Sequence, residues 1–352
     1  MKIKLILVLL LTLIIGFTSC SSKSNPDRKP VTNIQITPSN NVITYGNEIT
    51  INLASRITKP KVVSIALYID DNLVQSSNKE TFSTKINSKH YLPGQHTIRT
   101  IAKNSSEKTG TNSISILIVS DIEPEKLSYT ISEVLPHDTK NYTEGFEFYN
   151  DILYESTGNY GESFVYSYLP ENKKIISSLK IDDKYFGEGI TILKDKLYQL
   201  TYKAQKGFVY NVKTFEKIDE FSFKSKEGWG LTNNGKSLIM SNGTSKIFYI
   251  NPETFEIEKT IDVTYPKGLL KNINELEYVD GVIYANIWTT QTIVKLEAET
   301  GRVLAFIDMS GLLSTINVSD VDVLNGIAYK PNENLFYITG KWWPNMYKVK
   351  FK

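Results

Sequence analysis

The chain has 352 residues, of which 41% are apolar and 22% charged, and its 40 Lys and Arg nearly balance 38 Asp and Glu to leave a formal net charge of +2. That composition excludes a disordered polymer and a nucleic-acid binder working by bulk charge, and the length accommodates two domains of ordinary size. A single Cys permits neither an internal disulfide nor a Cys-rich metal site, while 21 Tyr, 15 Phe and 20 Gly among many Thr, Ile and Asn describe short strands separated by turns, so the expected class is all-β.

Lys2 and Lys4 precede an apolar run from Leu5 to Phe17, and small residues stand immediately before Cys20. The run is too short for a comfortable membrane span and reads as an export signal over residues 1–19. It resembles a bacterial lipoprotein signal, with Phe17 where that motif usually has Leu. The resemblance implies that Cys20 becomes the lipidated first residue, holding the protein in the cell envelope, on the periplasmic face or the cell surface, by its lipid alone. A plain secretory signal with an incidental Cys is the alternative. Residues 20–30 are polar, carry two prolines, and read as a tether.

From residue 31 to 122 the chain alternates apolar and polar positions in runs of five to ten residues that end in Asn, Ser, Gly or Pro. This spacing predicts a small immunoglobulin-like β-sandwich, with Asp70 and Asp71 in a hairpin turn rather than a metal site. No catalytic constellation falls here, and the expected role is to space or stiffen the tether.

The remainder, residues 126–352, repeats on itself. GFEFYNDILYESTG from Gly145, GITILKDKLYQLTY from Gly189, GLTNNGKSLIMSNG from Gly230, ELEYVDGVIYANIW from Glu275 and GIAYKPNENLFYITG from Gly326 follow one pattern, with starts 44, 41, 45 and 51 residues apart. Each of the first four is followed by two further strand-like runs. A period in the forties with four short strands describes a propeller blade, and five starts predict five blades. The fifth copy ends one strand short at NMYKVKFK, and KLSYTISEVL, ahead of the first repeat, supplies the missing strand and removes the free sheet edges.

The innermost strand of each blade lines the channel, so the residue before each start is expected around one axis: Glu144, Glu188, Trp229, Asn274 and Asn325. Tyr142, Phe186, Tyr202, Trp288 and the segment TGKWWP with Lys341 flank this ring. Aromatic walls with a few converging polar groups point to a small-molecule or peptide-terminus site. His137 and Asp138 lie where the closing strand enters the first blade and read as a structural joint.

TEGFEF, LYESTGNYG, YFGEGITIL, LYQLTY, EGWGLT, INELEY, YANIW, VLNGIAY and TGKWWP resemble, in order, the motifs of the plant- and bacterial-type glutaminyl cyclases, glutaminyl-peptide cyclotransferases built on a five-bladed propeller. The resemblance implies that Glu188 is the acid/base and that Trp229, Asn274, Trp288 and Lys341 shape the pocket for peptides or proteins with N-terminal glutamine. Glu144 departs from the family's usual Gln, and either sits as a second carboxylate beside Glu188 or pairs with Lys341. With one His and no Cys in the propeller, no imidazole or thiolate zinc cage is expected and no cofactor is required, while a structural calcium ion in the channel stays open. The chain is expected to act as a monomer without a nucleic-acid partner. Two other classes fit the same ring: a non-catalytic peptide- or glycan-binding propeller, and a glycosidase-like pair of carboxylates.

Overall fold

The computed structural model describes residues 28–56, 60–315 and 320–352. The residues read as an export signal, Cys20 and most of the segment read as a tether lie outside them. Residues 32–119 form two sheets. Thr32–Thr37, Glu48–Ser55 and Thr81–Asn87 make the first, and Val42–Thr44, Thr109–Val119, Gly94–Asn104, Val62–Ile69 and Asn72–Ser77 the second, in those strand orders. Alternate side chains such as Ile49, Ile51 and Leu53, or Ile65, Leu67 and Ile69, are fully buried, as the period of two requires. Asp70 and Asp71 both take positive φ, 46° and 70°, between Ile69 and Asn72, the geometry of a tight two-residue hairpin.

The described residues of 125–352 form five blades, each built on four antiparallel strands, and a separate two-stranded hairpin of Thr264–Tyr265 and Gly268–Leu269. Blade 1 runs Thr143–Tyr149, Ile152–Thr157, Phe164–Leu169 and Lys174–Lys180. Blade 2 runs Gly187–Leu193, Lys196–Thr201, Lys206–Asn211 and Lys217–Ser222. Blade 3 runs Leu231–Asn233, Leu238–Ser241, Lys246–Ile250 and Ile257–Asp262. Blade 4 runs Ile273–Val279, Val282–Ile287, Thr292–Glu297 and Val303–Asp308, and Glu125–Leu127 adds a parallel fifth strand to its outer edge. Blade 5 runs Leu324–Lys330, Leu335–Gly340 and Asn345–Phe351, and Tyr129–Pro136 pairs antiparallel with the last of these. Strands from both ends of the repeat region thus close the ring.

Burial grades outward within each blade. Gly187–Leu193 is buried at every position, whereas Lys174–Lys180 and Lys217–Ser222 are mostly exposed. The core is five apolar layers, one between each pair of neighbouring blades. Ile192 and Leu197 of blade 2 meet Tyr154 and Val165 of blade 1, and Phe146 and Leu153 of blade 1 meet Ala328 and Tyr337 of blade 5. At the axis the innermost strands approach so closely that side chains are excluded. A Cβ on Gly189 would lie 2.4 Å from the Leu231 nitrogen, and one on Gly230 would lie 2.1 Å from the Asn274 carbonyl oxygen. Glycine follows four of the five ring residues: after Glu144, Glu188 and Trp229 a Cβ would strike neighbouring backbone, while Gly326, after Asn325, takes φ 121°.

Candidate active site

Each blade's inner hairpin turns at the far end of the channel, so strand one begins and strand two ends at the same mouth. The connection is repeated bond for bond. Gly158 N–H donates to Tyr142 O, Tyr202 N–H to Phe186 O and Trp288 N–H to Asn272 O, at 2.8–3.0 Å. These bonds bring residues just after strand two against residues just before strand one of the same blade.

The start of the inner strand carries a second device. Pairing slips between Thr143 and Gly145, Gly187 and Ile190, Ile273 and Leu276, and Leu324 and Ile327. Glu144, Glu188, Asn274 and Asn325 all lie in these bulges, which re-aim side chains that a regular pleat would send to alternating faces.

The result is a cavity of about 190 Å³ lined by Tyr142, Glu144, Phe186, Glu188, Tyr202, Trp229, Asn274, Trp288 and Lys341. Every sequence-predicted site residue in the propeller is in this lining except Asn325. That side chain is fully buried behind Glu144, donating from Nδ2 to Thr143 O at 2.9 Å and to Glu144 Oε2 at 3.2 Å. Trp343 also differs from its grouping with the site: it is fully buried between blades 4 and 5, with Nε1–H donating to Asp322 O.

Glu144 pairs with Lys341, whose Nζ lies 2.7 Å from Glu144 Oε1 and 4.4 Å from the Tyr142 ring centroid. Burial raises the Glu144 pKa to about 7 despite the ammonium beside it. Burial works against the Lys341 charge, but Glu144, then Glu188 and Tyr142, outweigh it and raise the lysine overall. Trp229 Nε1–H donates to Glu227 Oε2 at 3.1 Å, and Tyr142 OH donates to Asp322 Oδ2 at 3.1 Å, so both rings are pinned from outside.

Glu188 is different. It is 5% exposed, yet no hydrogen bond or ion pair reaches its carboxyl among the described residues. Burial first, then the neighbouring Glu144 charge, pushes its pKa well above the ordinary carboxyl value, against a smaller pull from Lys341.

Sequence reasoning did not single out Glu155. This fully buried carboxylate accepts from Thr143 Oγ1 at 2.7 Å, Tyr168 OH at 2.8 Å, Asn141 Nδ2 at 2.9 Å and His137 Nε2 at 3.0 Å. His137 Nδ1 lies 2.7 Å from Trp343 O, so both ring nitrogens face acceptors, an arrangement that only the imidazolium satisfies with two N–H donors. Burial opposes that charge, but Glu155 raises the His137 pKa overall, and the histidine and the hydroxyl donors hold Glu155 below its usual range although burial opposes that too. The joint ties the closing strand to blade 1 beside the pocket. Deeper in the channel, Glu275 accepts from the backbone N–H of Phe146 and Ile327, Glu277 from Tyr329 and Glu147 from Ile192, stapling inner strands of different blades. The only sequence sign of these groups is an acidic residue inside a strand whose neighbours are buried.

Fold and site together define a five-bladed propeller with a residue-sized, aromatic-walled pocket at one channel mouth, around a buried carboxyl that has no partner among the described residues. The glutamine cyclotransferase family model matches residues 100–351, and the chain belongs to that family. It is 35% identical over 235 residues to a glutaminyl-peptide cyclotransferase of Arabidopsis thaliana, covering 64% of this chain and 73% of the relative. The crystal structure of Myxococcus xanthus glutaminyl cyclase is similar over 65% of this chain and 99% of its own, at 29% identity and a TM-score of 0.61.

Proposed function

We infer that Glu188 is the proton-transfer group of this chain's reaction, the conversion of N-terminal glutamine of peptides to pyroglutamate with release of ammonia. In that reaction the α-amine attacks the side-chain amide carbon, a C–N bond closes the lactam, and the bond to the amide nitrogen breaks. The amine must lose a proton and the departing nitrogen must gain one. A single carboxyl can take the first and deliver it to the second, for a contribution of typically ~10²–10⁴-fold. The nucleophile is tethered to its target, so the pocket's other task is to hold the folded conformer.

The observation that carries this assignment is the state of Glu188, which is buried in the aromatic pocket with its oxygens uncommitted and its proton affinity raised. Of the indole and carboxamide donors in the lining, Asn274 and Trp288 are left to meet the oxygen that becomes negative on the attacked carbon, because the Trp229 indole N–H is engaged by Glu227. The Glu144–Lys341 pair fixes one wall. It also weakens the glycosidase-like reading, since both Glu144 oxygens are bonded and neither is a ready nucleophile. The proposed chemistry needs no metal, and among the described residues no three His, Cys, Asp or Glu side chains converge to hold one.

The wider assignment extends the same reading to an exported, monomeric lipoprotein of the cell envelope, anchored at Cys20, with residues 31–122 as an immunoglobulin-like spacer before the propeller. The signal pattern and the two N-terminal sheets support it. Incubation with a Gln-initiated peptide tests the function: loss of one ammonia by mass spectrometry is expected. Saturable binding without mass loss would favour the non-catalytic binder.

A further inference from the structure

Among the described residues three aromatic side chains are exposed, Tyr160, Trp288 and Trp342, at 59%, 41% and 36%. Trp288 lines the cavity described above, and Tyr160 and Trp342 pack on Phe186 and Tyr142, which line it. Trp342 packs on Tyr142 with ring centroids 4.8 Å apart, Tyr142 on Phe186 at 6.1 Å, and Phe186 on Tyr160 at 5.6 Å, forming one continuous arc. Across the lining, Trp288 meets Trp229 edge-on at 5.4 Å. Every other Phe, Tyr and Trp among the described residues is at least half-buried, so this concentration of wet aromatic surface calls for a ligand.

The rim is built rather than left over. Phe186 lies against Gly158, where a Cβ would come within 2.3 Å of the ring, and Trp229 lies over Gly243, where one would come within 2.6 Å. Trp342 is held at φ 62°, a conformation a bulky residue avoids, with its N–H donated to Asn141 O at 2.8 Å. Strain of that kind persists where the surroundings impose it, and here it presents an indole to solvent at the pocket's edge.

Size supplies the occupant. At about 190 Å³ the cavity is below the roughly 300–1,000 Å³ of sites that enclose drug-sized ligands, so it takes one residue, and the rest of a peptide leaves across the rim. We propose that the aromatic rim, with Trp342 and Tyr160 as its outer contacts, recognises the side chain that follows the N-terminal glutamine and selects aromatic or bulky apolar residues there. The proposal rests on the cyclisation reading for its substrate. Rigid, pre-placed rings stack on such a side chain with little ordering cost, and they offer nothing comparable to a glycine or an aspartate.

The test compares kcat/KM for Gln-Phe-amide, Gln-Gly-amide and Gln-Asp-amide in the wild type and in Trp342→Ala, Tyr160→Ala and the double variant. The Phe substrate is expected to exceed the Gly and Asp substrates by roughly tenfold, and the double variant to bring that ratio within about twofold of unity. Equal values in the wild type, a preference for Asp, or a ratio the folded variants leave unchanged overturns the proposal. Calorimetric binding of the products pyroglutamyl-Phe-amide and pyroglutamyl-Gly-amide decides the rim independently of turnover. A Phe preference lost in the double variant supports it even where no amide is cyclised, the result that would sink the cyclisation reading alone, and equal affinities refute it.

Discussion

Glu188 and Glu155 are two carboxyls of one propeller, both almost wholly buried, with opposite affinities for a proton. Glu155 has four donors on its two oxygens, one of them the His137 ring, and burial is outweighed. Glu188 has none among the described residues, and burial decides. Enclosure alone therefore does not make a carboxyl a catalyst; what matters is whether the fold spends the lone pairs. In this ring the joint beside the pocket is saturated and rigid, and the pocket keeps one acid uncommitted.

Removing each carboxyl separates the two roles. Glu188→Gln should lower kcat by at least about a hundredfold while leaving Tm unchanged or slightly higher. A variant keeping more than about a tenth of wild-type turnover takes Glu188 out of the mechanism. Glu155→Gln should instead cost roughly 3–5 kcal/mol in urea unfolding, the range for breaking a buried ion pair. A loss below about 1 kcal/mol would mean that His137 is not charged there.

The same contrast sets opposite pH slopes. Glu155 has its folded pKa below the unfolded value of 4.5, so its stabilisation is present above 4.5 and is lost as pH falls through the folded value. His137 is raised above 6.5, so its share is complete below 6.5 and is lost as pH rises through the folded value. The deficit of Glu155→Gln should therefore be greatest between about 4.5 and 6.5 and shrink on either side. Glu188 is raised, so it subtracts stability as pH climbs from 4.5 toward its folded pKa, and Glu188→Gln should gain on the wild type over that span. Urea midpoints measured across pH for the three proteins check both signs; parallel curves would erase the distinction.

A smaller effect sharpens the pocket side. Lys341 pulls the Glu188 pKa down, so Lys341→Met should move the Glu188 limb of the pH–rate profile to higher pH, and Glu144→Gln should move it lower. Because the two side chains are bonded, the double variant should not show the sum of the single shifts. Additive shifts would mean that the pair does not persist in solution. Smallest of all, a zinc chelator should leave turnover within about twofold; inactivation reversed by zinc would contradict the proposed metal-free chemistry.

The sequence reading went furthest where geometry repeats. Five spaced copies gave the blades, the missing strand at NMYKVKFK gave the closure through Tyr129–Pro136, and the position before each copy led to Glu188, Glu144, Trp229 and Asn274 at one mouth. The repeat could not show which ring members face inward, because the bulges at Thr143–Gly145 and Leu324–Ile327 set that, and they turn Asn325 behind Glu144. Glu155 went unnoticed for a related reason: its partners come from the segment between the closing strand and strand one, from strand one and from strand three, a convergence that no linear spacing encodes.

The most direct test of Glu188 as the pocket's uncommitted acid is a carbon-13 NMR titration of the glutamate side-chain carboxyls, with Glu188→Gln identifying the signal. Its midpoint is expected well above 4.5, and to move lower in Glu144→Gln. A midpoint at or below the ordinary carboxyl value would contradict the assignment.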